Sequence, residues 1–254
     1  MSGEHHQESF WTKYVFSQDH KWIGIQYGVT ALFFMLLGFV LMIVMRYQHV
    51  HSGTISPDTY NSFGAMHGTI MVFLGIVPVI VGAYGNYLVP LQVGAPDMAF
   101  PKLNMASYWT YFLGGVTMLY GFTLPGGAAN SGWTSYPPLA DIATTGQTVW
   151  LLGMIFLITS SLLGSVNIIV TIVQLRAPGL TWMRLPFFVW AQLITSFLLL
   201  LAFPPLEVAG IFQLMDRVAG TSFFLPTGLV VGGEMMSNSG GGSPLLWQHL
   251  FWFL

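Results

Sequence analysis

The stretch that decides the fold is Phe63 to Val89, FGAMHGTIMVFLGIVPVIVGAYGNYLV. It contains no Lys, Arg, Asp or Glu, and it is longer than the roughly 20 residues that a helix needs to cross a hydrocarbon core of about 30 Å. Backbone groups in lipid must form their hydrogen bonds within their own segment, so we expect a helix. The stretch therefore predicts a transmembrane helix that carries one imidazole, His67, among apolar and small residues.

Four more apolar runs are long enough to cross a membrane, and they cover Trp22 to Tyr47, Ser107 to Leu124, Val149 to Leu175 and Phe187 to Gln213. The whole sequence is 54% hydrophobic and only 6% charged, whereas soluble domains carry about 25% charged residues. We therefore predict an all-α polytopic transmembrane helical bundle. Residues 1–254 are expected to form a single membrane domain, with a polar N-terminal segment at residues 1–21.

A sixth apolar run begins at Pro244 and reaches Leu254. It is too short to cross a bilayer, and a carboxylate partway into lipid would be costly. The expected bundle is therefore five full spans and the start of a sixth, which continues in further sequence or in a second chain.

Composition also excludes several classes of site. The sequence has no cysteine, which excludes disulfides, thiolate metal sites and iron–sulfur ligation. It has no basic stripe of the kind that binds nucleic acid. Any metal must be held by histidine, carboxylate or methionine.

The seven Lys and Arg residues predict the orientation. If the spans alternate, five of them lie on the N-terminal side and two, Arg46 and Arg217, on the other. The positive-inside rule then places the N-terminus inside.

His67 is the first candidate functional residue. Ionisable groups inside a membrane are rare and are often functional. On the residue alone, an axial haem ligand, a proton-relay group and a hydrogen-bonded core histidine all stay open. The small neighbours Gly64, Ala65 and Gly68 favour the haem ligand, because a flat macrocycle could lie close to the helix.

Asp97 is the second candidate, and it lies at the inner end of the second run. Asparagines flank it, and hydroxyl and amide residues follow in the fourth run. Such groups can hold a file of water that conducts protons, although Ser and Asn also bond helices together. On the residues alone, the helix-bonding interpretation is favoured. The polar residues concerned are Asn86, Asn104, Ser160, Ser161 and Asn167.

Three further polar features lie on the outer side or in polar segments. Arg46 is expected to reach the headgroups, and Glu207 is expected to be an interfacial carboxylate. His20, before the first run, is expected to be solvated. The glycine- and proline-rich loop that carries Trp133 and Tyr136 could fold inward over the edge of a cofactor.

Five blocks carry a family resemblance. They begin at Met66 (MHGTIMVF), Gly85 (GNYLVPL), Gly94 (GAPDMAFP), Gly132 (GWTSYPPL) and Leu246 (LWQHLFWF). Their order and spacing, from about Asp19 to Leu254, resemble subunit I of the haem–copper oxidases, also known as the cytochrome c oxidase subunit 1 family.

The resemblance implies a role for each matching residue. It implies that His67 is an axial ligand of a low-spin haem, with haem a the expected type, and that Arg46 contacts its formyl group. Trp133 and Tyr136 would lie near the haem propionates. Asp97 would open a proton channel lined by Tyr27, Asn86, Asn104, Ser160, Ser161 and Asn167.

The resemblance also implies what this sequence lacks. The family's sixth helix continues with a His-Pro-Glu motif, so the copper ligands, the cross-linked tyrosine and the high-spin haem with the copper CuB are expected beyond Leu254. No catalytic residue of the oxygen-reducing site is expected within this chain, which alone would be inactive.

The implied activity is that of a proton-pumping cytochrome c oxidase that transfers electrons from cytochrome c to dioxygen, with a quinol oxidase or a non-catalytic split chain as alternatives. The expected partners are membrane lipid, a dicopper-bearing subunit II, a subunit III and a second chain that completes the site. No nucleic acid is expected. The expected location is the bacterial cytoplasmic membrane, with the mitochondrial inner membrane as the alternative.

Overall fold

A computed structural model describes residues 9–253, so residues 1–8 of the polar segment and Leu254 lie outside the described residues. The chain is mostly helical. Its main helices are α1 (His20–Val50), α2 (Pro57–Val93), α3 (Pro101–Tyr120), α4 (Thr145–Gln174), α5 (Phe187–Val218) and α6 (Pro244–Phe251).

Local sequence explains where α1 and α2 begin. The side chain of Asp19 accepts a hydrogen bond from the Lys21 backbone N–H at 2.8 Å, and Ser56 accepts one from the Thr59 N–H at 3.2 Å. Both residues are N-caps that satisfy backbone donors at a helix start. The caps lie outside the apolar runs, so both helices are longer than the hydrophobic pattern predicted.

Helix α2 changes its hydrogen-bonding pattern partway across. Residues Pro57–Thr69 and Asn86–Val93 are α-helical, whereas Ile70–Ile76 and Pro78–Gly85 are π-helical. Pro78 lacks a backbone donor, and wider π turns often accompany such a break in the α-helical ladder. His67 therefore lies in regular helix just before the irregular segment.

Small residues bring the middle helices close together. A Cβ on Gly114 of α3 would lie 3.0 Å from the carbonyl oxygen of Gly153 on α4. Such small-residue contacts are typical of membrane helix pairs. Leu157 and Met118 lie against these two glycines and belong to the buried core of the bundle.

Four helices, α1, α2, α4 and α5, are long and apolar enough to cross a membrane. Helix α3 has 20 residues but is less apolar, because it carries polar and aromatic hydroxyl groups such as Asn104 and Tyr108. The predicted helical membrane bundle is thus confirmed in outline. The count of five complete spans and the inside N-terminus stay predictions.

One element was not expected in an all-α chain. The segment between α5 and α6 forms a two-stranded antiparallel hairpin, β1 (Val230–Val231) and β2 (Glu234–Met235). It lies at the same end of the bundle as the Trp133 loop, because α5 runs toward that end.

Candidate functional site

His67 is held by the neighbouring helix through one ring nitrogen. Its Nδ1 lies 2.8 Å from the backbone carbonyl oxygen of Gly38 on α1. A carbonyl oxygen can only accept, so in the neutral imidazole the proton is on Nδ1 and the lone pair is on Nε2. Nε2 has no hydrogen-bond partner within residues 9–253. A neutral imidazole oriented in this way is the form that ligates a metal.

Gly38 permits this contact because it lets α1 approach α2. A Cβ at Gly38 would lie 2.9 Å from the Met71 sulfur and 3.1 Å from the Ile70 side chain. A larger residue would push the helices apart and draw the carbonyl away from His67. The glycine therefore sets the tautomer of the imidazole indirectly.

The outer loop, residues 124–138, folds inward as the sequence suggested. A Cβ at Gly68 would lie 2.9 Å from the Trp133 ring, so the indole packs directly against α2 beside His67. The Trp133 ring also meets Phe251 of α6, with centroids 5.9 Å apart. The Trp252 indole donates to the Tyr136 hydroxyl at 3.1 Å. The loop therefore joins α2 to α6 on the His67 side.

A buried hydrogen-bond network, which the sequence did not predict, attaches the outer loop to α4 and α5. Ser131 donates to the Gln147 carbonyl, whose amide group donates to Ser135 at 2.8 Å. Ser135 donates in turn to Gln213 of α5 at 2.6 Å. All four side chains are buried, and a fully satisfied network of this kind fixes one loop conformation.

Arg46 stands apart from this group. It is exposed near the C-terminal end of α1 and forms no hydrogen bond with any residue from 9 to 253. It is eight residues beyond Gly38, which is about 12 Å along the helix. The structure thus brings together His67, Trp133 and Tyr136, and leaves Arg46 about two turns farther out with its guanidinium free to bind an acceptor.

These residues fit a haem better than a free metal ion. No group of three His, Cys, Asp or Glu side chains that could hold an ion occurs in the described part of the chain. A single imidazole with a free Nε2 suits a prosthetic group that already supplies the other ligands of its iron. At Gly68 the space beside the helix is filled by the Trp133 indole, which closes one side of the His67 site.

Asp97 lies in the short turn between α2 and α3 at the opposite end of the bundle. Gly94 ends α2 with φ +74°, a left-handed conformation that favours glycine, and its Cα faces Ala177 closely. The Asp97 carboxylate accepts from the Met98 N–H at 2.6 Å. Burial raises the pKa of Asp97 above its ordinary value, and that hydrogen bond and the nearby His20 partly offset the rise.

Residues of α4 hold this turn in place. The Asn167 amide accepts from the Phe100 N–H at 2.9 Å and donates to the Phe100 carbonyl at 3.1 Å. Thr171 accepts from the Ala99 N–H at 2.9 Å. Asn167 thus positions the Asp97 turn, and its amide is engaged by backbone groups.

The structure shows that the prediction for His20 was wrong. It was expected to be solvated, but it is 1% exposed, and its Nδ1 lies 2.8 Å from the backbone oxygen of Asn86. The wrong prediction arose because His20 belongs to a polar stretch, whereas the packing of α1 against α2 buries it. His20 therefore lies between Asp97 and Asn86, a position that no local sequence signal indicated.

A small cavity with both polar and apolar lining residues lies between α1, α2, α3 and α4. The cavity has a volume of about 30 Å³ in which the centre of a water molecule can lie. This volume exceeds the space that one water molecule needs. Four of the predicted channel residues line it together with Ser107, namely Tyr27, Asn86, Ser160 and Ser161.

Hydroxyl groups connect the walls of the cavity. The Tyr27 hydroxyl lies 3.0 Å from Ser107 Oγ and 3.2 Å from Ser160 Oγ. Ser160 donates to the Ser107 carbonyl at 2.6 Å, and Ser107 donates to the Asn104 carbonyl at 2.7 Å. Ser107 was missed in the sequence, although it lies three residues after Asn104 on the same helix face.

Several buried polar atoms of this region have no hydrogen-bond partner among residues 9–253. They are His20 Nε2, Asn86 Oδ1 and both side-chain amide atoms of Asn104. Buried polar groups are almost always hydrogen-bonded, to protein or to ordered water. Asn86 also lines the cavity, so a water molecule bound there could satisfy its Oδ1.

The long apolar helices are those of an integral membrane protein, and the family comparison assigns it to the haem–copper oxidases. Residues 22–254 match the family described as cytochrome c and quinol oxidase polypeptide I. The chain belongs to this family, which confirms the resemblance seen in the five sequence blocks.

Several relatives are strongly similar along nearly the whole chain. The alternative cytochrome c oxidase subunit 1 of Bradyrhizobium diazoefficiens is 46% identical, over 98% of this chain and 43% of that protein. Cytochrome c oxidase subunit 1 of Thermostichus vulcanus is also 46% identical, over 98% of this chain and 44% of that protein. The Synechocystis subunit is 42% identical, over 98% and 43%. The chain thus spans less than half the length of these curated relatives.

Proposed function

We propose that this chain is the part of a terminal-oxidase core subunit that holds a low-spin haem and admits protons from the inner side. The observation that carries the haem assignment is the His67–Gly38 hydrogen bond, because it leaves Nε2 of a neutral imidazole free to bind iron. The observation that supports the proton path is the cavity that Tyr27, Asn86, Ser160 and Ser161 help to line.

On this proposal, His67 Nε2 would hold the haem iron, and the bound haem would supply one-electron transfer. Trp133 would cover one edge of the site and Tyr136 would contact the propionates. Arg46 would donate to a formyl group, which makes haem a the preferred type. The protein part of the mechanism is to fix the ligand and to exclude water from the ring.

Protons would enter at Asp97 from the inner side. The Asp97 carboxyl is half-buried, so it can hold a proton and release it to groups behind it. The buried partner-free atoms of His20, Asn86 and Asn104 would bind the water that carries the proton onward. Tyr27, Ser160 and Ser161 would guide it through the cavity, while Asn167 holds the Asp97 turn in place.

We assign oxygen reduction to a high-spin haem and CuB in further parts of the complete subunit, with subunits II and III as partners. The donor would be cytochrome c, since the relatives named above are cytochrome c oxidases. The family description also includes quinol oxidases, so a quinol donor is the second candidate. The bacterial cytoplasmic membrane is the proposed location.

The donor is tested on the intact complex purified from its membrane. Oxygen consumption is measured with reduced cytochrome c and with a soluble quinol at equal electron supply. Turnover with cytochrome c alone supports the proposal, whereas turnover with quinol alone assigns the chain to a quinol oxidase. No turnover with either donor would support a non-catalytic chain.

A further inference from the structure

The α4–α5 connection, residues 175–186, joins two helices that are long and apolar enough to cross a membrane. Its residues therefore lie where a span meets the headgroup layer. Met183 is 91% exposed there, and Phe187, the first residue of α5, is 94% exposed. These are the two most exposed large apolar side chains among residues 9–253. Both thus lie at the end of a membrane span.

The connection is fixed against the rest of the bundle. The Ala177 N–H donates to the Val93 carbonyl at 2.8 Å, and a Cβ on Gly94 would lie 2.8 Å from the Ala177 Cβ. Leu185 and Val189 are buried and pack in one apolar cluster with Val93. Met183 and Phe187 therefore stay outside the core because their neighbours are anchored inside it.

Positive charge accompanies these exposed apolar groups. Residues 175–187 contain two arginines, Arg176 and Arg184, and no Asp or Glu. The first turn of α5 has no acidic residue and no side-chain cap. Its free backbone N–H groups therefore add a partial positive charge at the same place.

Arg176 is held by stacking and keeps hydrogen-bond donors free. Its Cζ lies 3.7 Å from the centre of the Trp182 ring, which is close enough for a cation–π interaction. Its Nη1 donates to the Ile172 carbonyl at 3.0 Å, and its Nε is buried without a partner among residues 9–253. A guanidinium has five N–H donors, so donors remain for an anion.

Two tryptophans fix the surface on which Arg176 lies. The Trp190 indole donates to the Trp182 carbonyl at 3.1 Å, and the two rings are 6.0 Å apart. Tryptophan is typical of the layer between lipid chains and water. Arg184 is exposed and ends the short 3₁₀ turn that Trp182 begins. The two arginines therefore belong to one short surface.

We propose that the α4–α5 connection binds the headgroup of an anionic phospholipid. The phosphate accepts hydrogen bonds from Arg176 and Arg184, and the first part of the acyl chains covers Met183 and Phe187. Arginine binds phosphate through charge-assisted hydrogen bonds, and basic surfaces at membrane helices attract anionic headgroups. The exposed apolar groups beside the charges favour a lipid over a free anion. The inference is independent of the proposed haem and proton path.

The test uses the intact complex in phosphatidylcholine vesicles that contain a photoactivatable lipid. The reactive group is at the start of an acyl chain, and the headgroup is either phosphatidylglycerol or phosphatidylcholine. Peptide mass analysis should find several-fold more phosphatidylglycerol than phosphatidylcholine adduct within residues 180–190. No adduct there, or no preference for phosphatidylglycerol, would overturn the proposal, because another protein would then cover the surface or any lipid would fit it.

Charge variants test the role of the arginines. Arg184→Gln changes an exposed residue, so the fold should be kept. It should lower the phosphatidylglycerol labelling about fivefold, as expected for one cation near a membrane surface, and leave phosphatidylcholine labelling unchanged. Arg184→Lys keeps the charge and should retain most of the labelling. The matched control is Lys102→Gln, at an exposed position in the first turn of α3, which should have no effect. Undiminished labelling in Arg184→Gln, or an equal loss in Lys102→Gln, would contradict the proposal.

Inorganic phosphate separates a lipid site from a site for a small free anion. Excess phosphate should leave the labelling the same as chloride does at equal ionic strength, because screening is then equal. If phosphate removes the phosphatidylglycerol labelling and chloride does not, the surface binds a free anion and the lipid assignment fails.

Discussion

The Nδ1 atom of His67 lies 2.8 Å from the backbone oxygen of Gly38, so that one helix fixes the tautomer of the imidazole on the next. In haem proteins a hydrogen bond of this kind raises the basicity of the ligand and thereby tunes the iron. The contact depends on the absence of a side chain at residue 38, because even a methyl group there would meet Met71 and Ile70.

The first prediction concerns Gly38→Ala. The added methyl should push α1 from α2, weaken the His67 hydrogen bond and raise the midpoint potential of the low-spin haem, because the ligand becomes less basic. The stability cost should be about 1 kcal/mol, since the flexible Met71 can move. A redox titration of the purified complex measures the shift. Gly210→Ala is the matched control, because its Cβ would meet Ile155 at an ordinary 3.8 Å, and an equal shift there would contradict the account.

The second prediction concerns the hydroxyl of Tyr27. Tyr27→Phe keeps the ring but removes the group that contacts Ser107 and Ser160. Proton uptake should slow markedly, while stability should fall by only about 1 kcal/mol for the lost hydrogen bond. Flow-flash measurement of proton uptake with a pH dye reports the rate. The control is Tyr108→Phe, which loses a hydroxyl bonded to Thr30 outside the cavity and should leave the rate of proton uptake unchanged. If Tyr27→Phe took up protons as fast as the unaltered protein, the proposed path would be contradicted.

The third prediction concerns pH and Asp141, which follows the outer loop. Both of its carboxylate oxygens are buried without partners, and burial and the nearby Asp216 raise its pKa to about 7, against a partial lowering by Arg217. Between these two pKa values, the Asp141 carboxyl is protonated in the folded protein but ionised in the unfolded chain, where its pKa is the ordinary 3.8. Stability should fall as pH rises from about 4 to about 7, and the loss is complete above that range.

Asp141→Asn should remove this pH dependence and raise stability at neutral and alkaline pH. The gain should be at most about 4 kcal/mol, since one pKa unit corresponds to about 1.4 kcal/mol. Thermal unfolding of the detergent-solubilised complex across this pH range gives the comparison. Asp58→Asn, at an exposed helix start, is the control. An unchanged pH profile in Asp141→Asn would show that Asp141 is ionised throughout.

The fourth prediction concerns Arg217, whose guanidinium holds the segment before α4. It donates to the backbone oxygens of residues 140, 141, 143 and 144 and to the Thr148 hydroxyl. A lysine cannot reproduce this planar fork. Arg217→Lys should cost about 3 kcal/mol or more, because several charge-assisted hydrogen bonds are lost. Arg184→Lys, at an exposed position, should cost almost nothing in the same unfolding assay.

Hydropathy predicted the helices well because a membrane span must be both apolar and helical. It placed the helix ends less well, since caps such as Asp19 and Ser56 lie outside the apolar runs. It predicted the third span at Ser107 to Leu124, whereas α3 covers Pro101–Tyr120, because the first turns of α3 are less apolar.

The sequence likewise indicated some residues of the candidate site and missed others. His67 and Asp97 were found because an imidazole or a carboxylate in an apolar sequence stands out. His20 was missed because its burial depends on how α1 packs against Asn86. The hydrogen bond from Thr159 to Glu207 was not foreseen, because it joins residues 48 positions apart. Such tertiary pairs leave no local pattern in a single sequence.

The central claim is that His67 ligates a haem iron, and it is tested most directly by reduced-minus-oxidised spectra of the purified complex with His67→Ala. The account predicts loss of the low-spin haem band in this variant, with the band retained in His51→Ala, where the imidazole is exposed at the end of α1. A low-spin haem band that is unchanged in His67→Ala would contradict the assignment.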